Sequence, residues 1–188
     1  MNAGADALGF MFYASSPRFV SEKTAAEIIR ALPPFVAKVG VFVNAGIETV
    51  RRTQEVCGLD TLQFHGDEPP GFCWQFQAKI IKAFRVREEK SLQEMAAYES
   101  EAWLLDAFVP GKLGGTGERF NWELARQAAA LNQRIILAGG LTPENVSDAI
   151  RQVRPYGVDV SSGVEAAPGK KDHAKIRDFI AAAKGALK

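Results

Sequence analysis

Strict alternation between two kinds of stretch constrains this chain more than anything else in it. Apolar, β-rich runs occur at Ala7–Phe12, Val36–Val43, Leu59–His65, Lys79–Val86, Ala102–Phe108, Arg134–Gly139 and Gly157–Ser161. Stretches with helical spacing follow them in turn: Ser21–Ala31, Ile47–Cys57, Pro70–Gln77, Glu88–Tyr98, Asn121–Leu131, Pro143–Val153 and Asp172–Lys184. A helix after every strand argues against hairpins and for parallel strands joined by crossover helices. The repeat of about 20–33 residues is the size of one β-α unit. No linker or low-complexity stretch interrupts it, so residues 1–188 are expected to form a single domain.

Composition removes several classes of function. The net charge of +1 gives no electrostatic case for binding nucleic acid or an anionic membrane. No apolar run approaches the length of a membrane span, and the first residues do not form a secretory signal. The 2 cysteines, Cys57 and Cys73, make neither a disulfide framework nor a metal pattern. A cytoplasmic protein without metal or cofactor is the expectation.

The last two strands carry the strongest chemical signal. Arg134-Ile-Ile-Leu-Ala-Gly-Gly140 and Gly157-Val-Asp-Val-Ser-Ser-Gly163 each run from apolar residues straight into small ones. Helix patterns follow, opened by Thr142-Pro143-Glu144 and by Lys171-Asp172. Small residues at adjacent strand ends leave room for a ligand to meet bare backbone N–H groups, and phosphate suits such a place. Gly139, Gly140, Ser161, Ser162 and Gly163 are therefore read as a phosphate cradle, against the blander reading of turn chemistry. In a (β/α)8 barrel the loops after strands seven and eight build this site. Seven strands are counted here, one fewer than closure needs. The expected fold is an α/β, (β/α)8 TIM barrel that lacks its first β-α unit.

Strand parity sorts the remaining candidates. In Leu59–His65, Thr61, Gln63 and His65 share one face, and Leu62 and Phe64 share the other. The apolar face should meet the helices, which leaves Gln63 inside and His65 at the C-terminal mouth. Asp159 and Ser161 likewise oppose Val158 and Val160. Gln63 and Asp159 read as interior hydrogen-bond partners or substrate contacts, and His65 as a structural or a substrate-contacting histidine. Asp106 ends an otherwise apolar strand, where a carboxylate is unfavourable unless it reaches the mouth and finds partners.

An ordered set of motifs resembles the phosphoribosylanthranilate isomerase family of tryptophan biosynthesis. It comprises Gly4-Ala-Asp-Ala-Leu-Gly-Phe10, Ser16-Pro-Arg-Phe-Val20, Val39-Gly-Val-Phe-Val-Asn44, Gln63-Phe-His-Gly-Asp67, Leu104-Leu-Asp106 and Gly114-Gly-Thr-Gly117. It continues through Leu137-Ala-Gly-Gly-Leu-Thr-Pro-Glu-Asn-Val146, Val158-Asp-Val-Ser-Ser-Gly-Val-Glu165 and Pro168-Gly-Lys-Lys-Asp172. The resemblance implies an Amadori rearrangement of N-(5′-phosphoribosyl)anthranilate to 1-(o-carboxyphenylamino)-1-deoxyribulose 5-phosphate, without cofactor or metal. It makes Asp106 the general acid, with a pKa raised by a low-polarity mouth. It makes Arg18 the holder of the anthranilate carboxylate. The small residues 139–140 and 161–163 become the phosphate cradle, and Gly114, Gly115, Thr116 and Gly117 the segment that covers the substrate.

The family's general base is a cysteine in a Lys-Ile-Cys-Gly stretch of the first strand, which this sequence does not contain. Weak isomerisation by the chain alone is therefore expected. The alternatives are a non-catalytic phosphate-binding barrel remnant and another phosphate-binding barrel enzyme. The partner is a small phosphorylated molecule, and the family occurs as monomers and as homodimers.

Overall fold

A computed structural model describes residues 3–85, 95–106, 122–131 and 134–186, without the side chains of residues 122–124. Seven parallel strands carry the alternation: β1 (Ala7–Met11), β2 (Ala37–Phe42), β3 (Thr61–Phe64), β4 (Lys79–Arg85), β5 (Ala102–Asp106), β6 (Ile135–Ala138) and β7 (Gly157–Val158). The helices are α1 (Glu22–Arg30), α2 (Ile47–Cys57), α3 (Pro70–Cys73), α4 (Trp122–Ala130), α5 (Val146–Val153) and α6 (His173–Gly185). The expected helix Glu88–Tyr98 and the loop Gly114–Gly117 lie wholly or mostly outside the described residues. Among the described residues, no helix is long and apolar enough to cross a membrane.

Two compact units divide the chain. One is Met1–Ala83 with Tyr98–Glu101; the other is Phe84–Ala97 with Ala102–Lys188. In the first unit the strands lie in chain order β1-β2-β3-β4, and each neighbour pair is parallel. Its core contains Phe10, Phe42, Val50, Leu62, Phe64, Phe76 and Ile80. Leu62 and Phe64 do meet the helical side: Phe64 packs edge-on against Phe72 of α3, with ring centroids 5.2 Å apart. Burying each such side chain contributes about 1.5–3 kcal/mol.

Local sequence explains where the first unit's helices begin and end. The Ser21 side chain accepts a hydrogen bond from the Thr24 N–H and caps α1. Helix α2 stops where Gly58 adopts a left-handed φ of 65°, which a glycine tolerates without strain. Helix α3 is shorter than its expected Pro70–Gln77. The chain continues instead in looser turns, with Gln75 N–H bonded to Phe72 O, and these deliver Phe76 to the core.

In the second unit the order is β5-β6-β7, again parallel. The core gathers Trp103, Leu105, Leu137, Val146, Ile150 and Phe179. Strand β7 is only 2 residues long, against the expected run to Ser161. After the Asp159 N–H reaches Leu137 O at 2.7 Å, the chain leaves the sheet. It forms a 3-10 turn at Ser162–Val164 and a small antiparallel hairpin of β8 (Glu165–Ala167) and β9 (Lys170–Lys171). The alternation pattern did not foresee that hairpin, because its strands are too short to carry a period. Asp172 then caps α6, accepting from the Ala174 and Lys175 N–H groups.

Candidate active site

Among the described residues, the expected site residues fall at C-terminal strand ends or on the loops that follow them, where parallel α/β folds place their ligands. They are divided between the two units. Arg18, Gln63 and His65 belong to the first, and Asp106, Gly139, Gly140, Asp159 and Ser161–Gly163 to the second.

In the first unit, Arg18 lies on the loop from β1 to α1. That loop is tied down by Val20 N–H to Met11 O and by the Arg18 N–H to Ser16 Oγ at 3.1 Å. Gln63 is buried on β3 and pairs with His65, Nε2 to Nδ1 at 3.2 Å. His65 follows the last residue of β3 and is half-buried.

The same strand end holds a cluster that the motif reading missed. Lys82 and Glu68 form an ion pair at 2.9 Å with side chains only 3% and 2% exposed. A buried ammonium is tolerable only when its donors are satisfied. Lys82 Nζ also donates to Gly66 O at 2.6 Å and Phe64 O at 3.3 Å. Glu68 in turn accepts from the Asn44 and Gly66 N–H groups at 2.7 and 2.9 Å. The Asn44 Oδ1 accepts from the Asp67 N–H at 2.8 Å. The ends of β2, β3 and β4 are thereby laced together. A Cβ on Gly66 would collide with the Asn44 side chain, so the turn requires a glycine there. One sequence signal pointed this way: Lys82 shares the face of Ile80, so a charge was due on a buried apolar surface.

In the second unit, Asp106 is the last residue of β5 and half-buried. It pairs in register with Ala138, the residue before Gly139. Gly139 and Gly140 both take left-handed φ values, 77° and 66°. A Cβ on Gly140 would meet no atom of the described residues within 4 Å. Gly163 is the opposite case: a Cβ there would run into the Leu141 carbonyl oxygen. The two small-residue loops therefore lie against each other, which a larger residue at 163 would prevent.

Asp159 lies just past the short β7 and is exposed. Glu165 is buried beside this loop and accepts from Lys171 Nζ at 3.1 Å. Among the described residues, no group of three or more His, Cys, Asp or Glu is arranged to hold a metal ion. Cys57 and Cys73 are both buried, and burial pushes both thiols up.

Comparison with known proteins gives the geometry a context. The chain matches the family described as N-(5′phosphoribosyl)anthranilate (PRA) isomerase over residues 1–182. An N-(5′-phosphoribosyl)anthranilate isomerase of Pelobacter propionicus is 57% identical over 184 residues, which span 98% of this chain and 88% of the relative. The solved phosphoribosyl anthranilate isomerase from Thermotoga maritima superposes with a TM-score of 0.91 at 44% identity, covering 97% of this chain and 90% of that one. A second solved isomerase, in complex with reduced 1-(o-carboxyphenylamino)-1-deoxyribulose 5-phosphate, gives a TM-score of 0.88 at 42% identity over 97% of this chain and 89% of that one. The chain belongs to the N-(5′-phosphoribosyl)anthranilate isomerase family.

Proposed function

We propose that this chain is an N-(5′-phosphoribosyl)anthranilate isomerase, converting its substrate to 1-(o-carboxyphenylamino)-1-deoxyribulose 5-phosphate in tryptophan biosynthesis. One observation carries the assignment of chemistry to residues. Asp106 pairs with Ala138, so a carboxyl group ends β5 beside the strand that runs into Gly139-Gly140. A proton donor and a phosphate cradle thus occupy neighbouring strand ends of one unit. The high similarity to solved isomerases also supports reading the seven parallel strands as members of a (β/α)8 barrel.

The reaction needs two proton movements. Asp106 gives its proton to the furanose ring oxygen. The C1′–O bond breaks and the anthranilate nitrogen's lone pair closes a C=N iminium bond. A base then takes the C2′ proton, and the freed pair neutralises the nitrogen and leaves an enol. Tautomerisation returns a proton to C1′ and yields the ketone. Arg18 holds the anthranilate carboxylate through its planar guanidinium. Gln63, His65 and Asp159 are assigned to substrate contact. Gly139, Gly140, Ser161, Ser162 and Gly163 hold the phosphate through backbone N–H groups. Gly114–Gly117 is assigned to covering the substrate.

Neither Cys57 nor Cys73 suits the base, because burial disfavours the thiolate that would take the proton. Asp106→Asn should lower kcat by about 10²–10⁴-fold while affinity for the reduced product analogue is kept. Arg18→Ala should chiefly raise KM. An unchanged kcat in Asp106→Asn would remove Asp106 from the mechanism.

A further inference from the structure

Two side chains outside the phosphate cradle grip its backbone, one in each loop. In the first loop, Asn145 Nδ2 donates to Gly140 O at 2.9 Å, and Asn145 Oδ1 accepts from the Thr142 N–H at 2.8 Å. Asn145 occupies the N-cap position of α5, yet its side chain makes no capping bond to the helix. An asparagine at this position ordinarily accepts from the helix's own second or third N–H. Here the carboxamide turns back and brackets Leu141. In the second loop, Lys171 Nζ donates to Ser161 O at 2.8 Å and to Glu165 Oε1 at 3.1 Å. Glu165 is buried, so it fixes the ammonium from behind.

The geometry of the peptide group gives these grips a consequence. All described peptides are trans, and in a trans peptide the C=O and the following N–H point to opposite sides. Holding the Gly140 carbonyl outward aims the Leu141 N–H the other way. Holding the Ser161 carbonyl aims the Ser162 N–H in the same manner. Neither N–H donates to an acceptor among the described residues. If either peptide flipped, a carbonyl oxygen would replace an N–H donor facing the anion.

We propose that Asn145 and Lys171 are positioning residues that set the polarity of the phosphate cradle, each fastening one carbonyl so that the Leu141 and Ser162 N–H groups face the phosphate. This rests on the phosphate reading of the two loops and adds residues to it that touch the backbone rather than the ligand. Lys171 also adds one positive charge at the cradle's edge, an effect that salt screens, whereas the aim of a peptide group is insensitive to salt.

The test is titration of the full chain with inorganic phosphate, read by calorimetry and by the amide shifts of Leu141 and Ser162. Asn145→Ala and Lys171→Met should each weaken phosphate binding on the order of tenfold, the size of one charge-assisted hydrogen bond. The loss should persist at high salt, and the two amide shifts should shrink. Lys171→Arg, which can still reach a carbonyl, should recover most of the affinity. Wild-type affinity in both Asn145→Ala and Lys171→Met, with Gly140→Val unable to bind, overturns the proposal and leaves the site reading standing. A Lys171→Met loss that disappears at high salt assigns Lys171 to charge alone and overturns its positioning role. Equal binding by wild type and Gly140→Val, or no binding by wild type, sinks the site reading and the proposal with it. A melting-temperature loss with unchanged phosphate affinity marks both residues as structural only and also overturns it.

Discussion

The mouth of β3 and the mouth of β6 are each built around a glycine, and the two glycines are there for opposite reasons. At Gly66 a Cβ would strike Asn44, because the space is already filled by protein. At Gly140 a Cβ would meet no atom of the described residues within 4 Å. The first mouth is closed by side chains: Lys82, Glu68 and Asn44 satisfy one another and the turn between them. The second is framed from outside by Asn145 and Lys171, which hold the Gly140 and Ser161 carbonyls. One construction makes a rigid rim independent of ligand. The other, on the phosphate reading proposed above, leaves donors for a ligand to satisfy. Folding stability should therefore concentrate in the first mouth and anion binding in the second.

The strongest way to break this contrast is Lys82→Met. It leaves the Glu68 carboxylate buried without its counter-charge and should cost about 3–5 kcal/mol in urea unfolding. The double variant Lys82→Met/Glu68→Gln removes the stranded charge and should recover part of that loss. A single variant as stable as wild type would show that the network does not hold the rim.

Next in size, Gly66→Ala should destabilise by about 1–3 kcal/mol through forced overlap with Asn44, with phosphate affinity unchanged. Gly140→Ala should cost about 1–2 kcal/mol through its left-handed φ, and should weaken phosphate binding much more than Gly66→Ala does. If the two glycine variants have the same effect on phosphate affinity, the functional side of the contrast fails.

Ser21→Ala lies at neither mouth. Loss of its cap on α1 should cost about 1 kcal/mol and leave phosphate affinity alone, which sets the background for the other variants.

The smallest effect is one of pH. Hydrogen bonds from the Lys175 and Ala174 N–H groups hold the Asp172 carboxyl below its usual range. A folded pKa below the unfolded one means the stabilisation is present above the unfolded value, about pH 4, and is lost as pH falls through the folded value. Asp172→Asn should therefore reduce stability slightly at neutral pH and flatten its fall in acid, measured by urea midpoints from pH 7 down to pH 2. Identical acid profiles for the two proteins would remove Asp172 as the source of that slope.

Much of this molecule was determined by sequence alone, where short-range rules suffice. Alternating periods fixed the order of strands and helices, and parity put Leu62 and Phe64 against the helices with Gln63 on the other face. Ser21 and Asp172 marked helix starts because capping is a matter of three or four residues. Small residues after β6 and β7 marked two loops that pack against each other for the same reason.

What only the tertiary structure decided involves partners whose separation no period encodes. Lys82 and Glu68 lie 14 residues apart and meet because β3 and β4 pair in one register. The length of β7 was set by where its pairing with β6 ends, which leaves Asp159 just beyond the strand and exposed. Sequence placed Asn145 inside the expected helix Pro143–Val153; the fold starts that helix at Val146 and turns the Asn145 carboxamide away from it. The Gly140 carbonyl and the Thr142 N–H offer it two hydrogen bonds at once, on a loop that Gly163 allows to pack closely.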